Sequence, residues 1–256
     1  MMHLLKRHPW VVTAHFDWVL ALVFAVPKET AQALMLPGLE PDLHGDSGFV
    51  AAAFVQTRKL RPAWLPPFLA QDFFLAGMRV FARGHLPDGR NVRGLRILGS
   101  STDSYRMKWA DSLLSHYRYE KIRITTFRSE SHLEMSAWDS TGVPTIKFRA
   151  DLTPADHPPP GSPFADLKTA RRFAGPMPFT FTYEAETDSL IIVEGARQSW
   201  VPRPVQVEVE TLRFFTGPPF AALGALPTLA NAFYIEDVDY HWKPGILAPA
   251  HFSNPR

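Results

Sequence analysis

Three apolar runs constrain this chain most: Trp18–Val26, Gly48–Thr57 (GFVAAAFVQT) and Phe73–Arg83 (FFLAGMRVFAR). Each has the length of a strand, and none alternates cleanly between apolar and polar residues. A strand that is apolar on both sides has to be covered on both sides. The first run stops at Pro27 and is too short to cross a bilayer, which takes ~20 apolar residues. Lys6 and Arg7 precede it in the manner of a signal peptide. However, His15 and Asp17 interrupt the approach, and no small-x-small cleavage site follows. The run therefore reads as a buried strand, and the protein as cytoplasmic.

The rest of the chain continues in the same style. Lys28–Leu36 reads as a short helix that stops at Pro37-Gly38. Leu86-Pro87-Asp88-Gly89 is a turn signal, so Phe73–Leu98 is expected to form a hairpin with Val92–Leu98 as the returning strand. A helix is expected over Tyr105–Ser115, with Ser101, Thr102 and Asp103 offering N-cap oxygens. Its apolar stripe holds Met107, Ala110 and Leu114, beside Tyr105, Trp109 and Leu113. Strands are expected near Lys121–Phe127, Leu133–Trp138 and Thr145–Leu152. The last alternates, with Ile146, Phe148, Ala150 and Leu152 on one side. After the proline-rich stretch TPADHPPPGSP come a helix at Phe164–Phe173 and strands near Phe179–Glu184, Ser189–Gly195, Val205–Phe214 and Ala232–Trp242. The spacing predicts one domain over residues 1–256, α+β in class and mainly antiparallel. A closed barrel or two packed sheets would remove the exposed edges.

Composition excludes several functions. Lys and Arg (27) nearly balance Asp and Glu (25), which gives no support to a nucleic-acid or anionic-membrane partner. With no cysteine, disulfides, thiolate zinc sites, iron–sulfur clusters and a cysteine nucleophile are all ruled out. No cofactor fingerprint appears. The expected partner is a small molecule, and a homo-oligomer stays open.

Four constellations could carry chemistry. Val12-Thr13-Ala14-His15 and Gly45-Asp46-Ser47-Gly48 resemble the histidine and serine segments of a serine protease. The stretch between them is too short to hold the scaffold that would aim the two side chains at each other. Asp237, Asp239 and His241 recur at period two, so on a regular strand they would share a face and could bind a divalent ion; a polar sheet edge is the plainer reading. Lys108 lies among aromatics in sequence, yet helical spacing sets it with Ser104, Asp111 and Ser115, as a solvated lysine. Finally, His116-Tyr117-Arg118-Tyr119 combines an imidazole, two phenols and a fixed cation. With Arg93, Arg96 and Asp72 converging on it, the cluster could bind a carboxylate and move a proton. Helix capping by His116 and Arg118, with the tyrosines as core filler, is the alternative.

Several segments together resemble the YqjF-like family of uncharacterised proteins. They are Asp17–Val26 with Leu36-Pro37-Gly38-Leu39, Arg93-Gly94-Leu95-Arg96-Ile97-Leu98 with Thr102-Asp103-Ser104, and Ala232-Phe233-Tyr234 with Asp237-Val238-Asp239-Tyr240-His241-Trp242. That family is distantly similar to acetoacetate decarboxylase. The resemblance implies a closed or nearly closed β-barrel with two or three short helices and an internal cavity. Acetoacetate decarboxylase-like enzymes form a Schiff base through a lysine in a Gly-x-Pro-Lys-Lys context. The corresponding stretch here is Ser115-His116-Tyr117-Arg118-Tyr119-Glu120-Lys121, which lacks Pro-Lys-Lys and sets Arg118 or Tyr119 about where the amine would be. Arginine stays protonated and cannot take that role. The expectation is a lysine-independent, lyase-like or purely binding pocket for a carboxylate- or carbonyl-containing metabolite. Its acid–base residues would be His116, Tyr119 and Asp72, and its anion-holding residues Arg93, Arg96 and Arg118.

Overall fold

The computed structural model describes residues 2–114, 117, 119–175, 177–197 and 199–250. The elements run, in chain order, β1 (Val12–Pro27), α1 (Lys28–Ala33), β2 (Glu40–Pro41), β3 (Ser47–Pro62), β4 (Gln71–His85), β5 (Asn91–Thr102), α2 (Tyr105–Leu114), β6 (Tyr119–Lys121), β7 (Arg123–Arg128), β8 (His132–Trp138), β9 (Pro144–Asp151), α3 (Leu167–Ala174), β10 (Phe179–Glu184), β11 (Ser189–Arg197), β12 (Arg203–Pro204), β13 (Gln206–Leu212), β14 (Thr228–Trp242) and β15 (Ile246–Pro249). The chain is mostly strand, as expected. The strands near the N-terminus are longer than the apolar runs suggest, because β1 and β3 extend past the runs into polar sequence.

The larger sheet follows the order β12-β14-β1-β3-β4-β5-β10-β11-β15, and β11 also pairs with β14. Hydrogen bonding therefore closes on itself through seven strands: β14, β1, β3, β4, β5, β10 and β11. Most pairings are antiparallel; β10 and β6 each pair β5 in parallel. The smaller sheet, β13-β9-β8-β7, has four strands.

Both faces of the long strands are used, which explains why their sequences do not alternate. Trp18, Leu20, Leu22 and Phe24 of β1, with Val50, Ala52 and Phe54 of β3, pack in one cluster with Leu133, Met135, Phe148 and Ala150 of the smaller sheet. Ile146, Phe148 and Ala150 are the buried alternate positions of β9, as its pattern predicts. The opposite, odd-numbered face of β1 and β3 (Val19, Ala21, Val23, Ala51, Ala53, Val55) lines a pocket.

A line of irregularities crosses this wall. The β1–β3 register shifts between Phe16 and Trp18, and the β3–β4 register between Thr57 and Leu60. Lys59 and Asp237, on neighbouring parts of β3 and β14, have left-handed backbone (φ 54° and 55°). Bulges of this kind bend a strand and add twist. Here they also exchange the two faces. Pocket-facing positions are Val19, Ala21 and Val23 after the crease on β1, but Val12 and Phe16 before it. On β3 they change from Val55 and Thr57 to Leu60 and Pro62, and on β14 from Phe233 to Tyr240 and Trp242. The crease thus turns the ends of β1 and β14 so that Phe16, Tyr240 and Trp242 reach the pocket.

Candidate functional site

The pocket has a volume of about 330 Å³, at the small end of the range for small-molecule sites. Its walls are mostly apolar and come from β1, β3, β4, β5 and β14. Met107 and Ala110 of α2 cover part of it. The N-cap of α2 is Ser104, whose Oγ accepts from the Met107 N–H at 3.2 Å. This corrects the expected cap at Ser101–Asp103: Thr102 is still in β5, and Asp103 Oδ1 accepts instead from the Phe74 N–H at 2.8 Å. Tyr105 and Trp109 are exposed, and of the described side chains on the predicted apolar face Met107 and Ala110 line the pocket.

Among the described lining residues are the cations Arg61, Arg79 and Arg197, and no Asp, Glu or Lys. Two of the three guanidiniums are committed to the protein itself. Arg61 Nη1 donates to the carbonyls of Ala63 and Leu65, both at 3.0 Å, and so ties down the β3–β4 connection. Arg197 lies over the Trp200 ring, 4.5 Å from its centroid, and bonds the Tyr240 phenol. Arg79 is different. Its hydrogen bond among the described residues is to the Gly77 carbonyl at 3.5 Å, the outer limit for such a bond, and no carboxylate pairs with it among those residues. Burial pulls its proton affinity below the ordinary guanidinium value, and the phenols of Tyr119, Tyr117 and Tyr240 act against that fall. A guanidinium remains protonated nonetheless. The surface that Arg79 keeps faces the pocket, so a fixed positive charge looks into an apolar chamber. Desolvation holds the Tyr240 phenol above its usual range, so it stays a neutral hydrogen-bonding group.

Three more polar atoms on this wall are buried and have no hydrogen-bond partner among the described residues: Thr57 Oγ1, Gln71 Oε1 and Trp200 Nε1. Buried polar atoms are normally satisfied, so orphans that border a pocket are candidate ligand contacts.

The residues singled out from sequence are dispersed. Tyr119 lines the pocket, held there by the β6 pairing of Tyr119 with Ser100. His116 and Arg118 lie outside the described residues. Asp72 is on the other side of the wall, where it accepts from the Lys59 N–H at 2.8 Å and from Arg58 at 3.3 Å, bracing the crease. Arg93 and Arg83 clamp the fully buried Asp42 at 2.6 and 2.7 Å. Arg93 also donates to the Phe173 carbonyl and lies over that ring. Arg96 does not line the pocket; its Nε is buried without a partner, and burial lowers its pKa. The expected convergence on one cavity therefore does not form from Asp72, Arg93 and Arg96, since the first two already have protein partners.

The metal reading of Asp237, Asp239 and His241 fails for a local reason. The left-handed Asp237 breaks the period-two alternation on which it rested. Asp237 and Asp239 gather instead round His15 at 3.6 and 3.0 Å, and no three His, Asp or Glu side chains among the described residues are placed to hold a metal ion. His15 and Ser47, the protease-like pair, face Arg58 and Pro27 at opposite ends of the β1–β3 ladder. Lys108 is exposed. Lys121 lies over the Tyr105 ring and is not on the pocket wall.

No family model and no curated protein sequence matches the chain. Solved structures do. The enduracididine biosynthesis enzyme MppR, in complex with the condensation product of pyruvate and imidazole 4-carboxaldehyde, aligns over 95% of this chain and 91% of its own, with a TM-score of 0.57 at 12% identity. Acetoacetate decarboxylase from Legionella pneumophila aligns over 92% and 87%, with a TM-score of 0.59 at 11% identity. The fold is that of the acetoacetate decarboxylase-like proteins. An acetoacetate decarboxylase-like enzyme from Sphingomonas wittichii RW1 agrees, with a TM-score of 0.56, 13% identity, and coverage of 95% of this chain and 94% of that one. The wall of the pocket in this chain carries arginine and tyrosine and, among the described residues, no lysine. Arg79 is the functional candidate that sequence reading missed. Its signal was a lone cation inside the apolar run Phe73–Arg83, two residues after a glycine.

Proposed function

We propose that this protein binds a small carboxylate- or carbonyl-containing metabolite in the space enclosed by its seven-strand ring, with Arg79 holding the anionic group. The ring then works as a barrel round an internal cavity, and the chain is a YqjF-like, cytoplasmic member of the acetoacetate decarboxylase-like fold. The observation that carries this reading is the unpaired Arg79 guanidinium on an apolar wall without a carboxylate among the described lining residues. A buried cation needs an anion, and an open pocket can receive one from solution. The pyruvate-derived ligand named for MppR belongs to the same chemical class. Any turnover is lyase-like acid–base work that does not pass through a lysine: of the proton-carrying groups on the wall Tyr119 is the candidate, and its sequence neighbours His116 and Arg118 are candidates to assist it.

Titration calorimetry with a panel of 2- and 3-keto acids tests this. Carboxylates are expected to bind the native protein and Lys108→Ala alike. Arg79→Gln is expected to weaken them by about 10- to 100-fold, the value of a charged hydrogen-bonded contact. Arg79→Lys, which keeps the charge without the planar fork, should fall between the two. Borohydride with a keto acid should trap nothing. Unchanged affinity in Arg79→Gln, or an adduct on any lysine, overturns the proposal.

A further inference from the structure

The pocket does not end at the polar cluster round Arg79. On β4 its wall runs from Gln71 to Arg79, eight steps along the chain, or ~26 Å of strand. Between them Phe73 and Leu75 line it, and the neighbouring strands β3 and β1 continue the wall mainly with Val and Ala side chains. Thr57 Oγ1 and Gln71 Oε1, the unpartnered polar atoms on this stretch, belong to adjacent strands and so occupy one side of it.

At the Gln71 end the lining passes into Leu5, Trp10, Leu65 and Leu69. Beside these, Trp64 packs edge-on against Trp10 with centroids 6.0 Å apart, yet is 64% exposed. Phe68, one residue before Leu69, is 83% exposed. A single exposed aromatic residue needs no explanation, but a contiguous apolar patch does. This patch is continuous with the pocket wall, and Arg61 holds the loop that carries it through the Ala63 and Leu65 carbonyls.

We infer that the ligand is an amphiphile: a carboxylate seated on Arg79 whose apolar chain runs along the pocket and leaves across the lip formed by Trp10, Trp64, Phe68 and Leu69. A short, fully polar metabolite would meet the arginine and phenols and leave the long apolar wall and its lip without a partner. A chain covers both. This inference rests on the reading that Arg79 holds a carboxylate, and adds the class of molecule to it.

Calorimetry with straight-chain alkanoates from hexanoate to tetradecanoate, kept below micelle formation, tests it. Affinity is expected to rise by up to about fourfold per methylene, the full transfer value of a buried methylene, and to flatten once the chain passes the lip. The double variant Trp64→Ser/Phe68→Ser changes only exposed side chains. It is expected to weaken the longest acids about tenfold and leave hexanoate unchanged. Alkanols of matched length are expected to bind about 10- to 100-fold more weakly than the acids, a gap that closes in Arg79→Gln. Affinity independent of chain length overturns this inference; Arg79-dependent binding of short acids would then leave the preceding proposal standing. Loss of both the length dependence and the Arg79 dependence removes the two together. A lip variant that binds long acids normally also overturns the inference; if it dissociates a dimer as well, sedimentation assigns the lip to contact between copies of this chain.

Discussion

Gly77 and Arg79 share one face of β4, and a Cβ built at Gly77 would stand 2.6 Å from Arg79 Nη1 and 2.8 Å from its Cζ. The glycine is thus where the guanidinium lies. Because the obstructed atoms are the far end of a flexible side chain, Gly77→Ala is expected to move the charge while costing the fold little. The expected outcome is a loss of carboxylate affinity of about tenfold or more, comparable to a weakened charged hydrogen bond, with a melting temperature close to native. Titration calorimetry and a thermal melt on the same sample check both halves. At this scale the sequence was only partly legible. Tyr119 could be picked out because it belongs to a dense polar cluster. Arg79 could not, because it stands alone in an apolar run, and whether such a cation meets a carboxylate, a carbonyl or a pocket depends on what lies across the sheet. Asp72 and Arg93 misled for the same reason: their partners, Arg58 and Asp42, are distant in sequence or on another strand.

Among the elements, the crease across β14, β1 and β3 shapes the wall, and Asp72 serves it. Its carboxylate accepts from the Lys59 N–H at a left-handed residue and from Arg58, which also bonds Asp17 at 2.8 Å. Asp72→Ala is therefore expected to lower stability by about 1 kcal/mol, since these contacts are partly exposed, and to leave carboxylate binding unchanged. Urea unfolding with calorimetry on the folded protein separates the two. The long strands were legible because residues apolar on both sides need cover on both faces. The bulges were not: Arg58-Lys59 and Asp17 look like ordinary polar interruptions, and only the pairing register reveals that the faces exchange there. Reading Asp237, Asp239 and His241 as one row failed at the same crease.

For the whole molecule, closure brings the N-terminal segment onto the pocket. His8 lines it and bonds the Lys243 carbonyl through Nδ1 at 3.1 Å, and burial lowers its pKa below 6.5. The unfolded chain then binds more protons than the folded one between the depressed value and 6.5. Stability is full above 6.5 and falls as pH drops through that window. A series of thermal melts from pH 7 to pH 5 should show this decline, and His8→Gln should make it shallower; equal slopes in the two proteins would exclude the histidine as its source. The α+β, mainly antiparallel class was legible from strand patterning. Strand patterning left a closed barrel and two packed sheets both open; which strands join the ring depends on the pairing of β11 with β14 through Gly195–Arg197, far apart in sequence from Tyr240–Trp242.

The exchange of faces at the crease also bears on how such a chain tolerates change in length. Upstream of it on β1, even numbers look inward; downstream, odd numbers do. Substituting Lys59 alters one side chain, whereas deleting it removes the extra residue that the bulge absorbs: plain alternation from Thr57 then keeps Leu60 and Pro62 facing inward, but the left-handed bend is lost. What the added residue contributes is therefore curvature and not the choice of which side chains face inward.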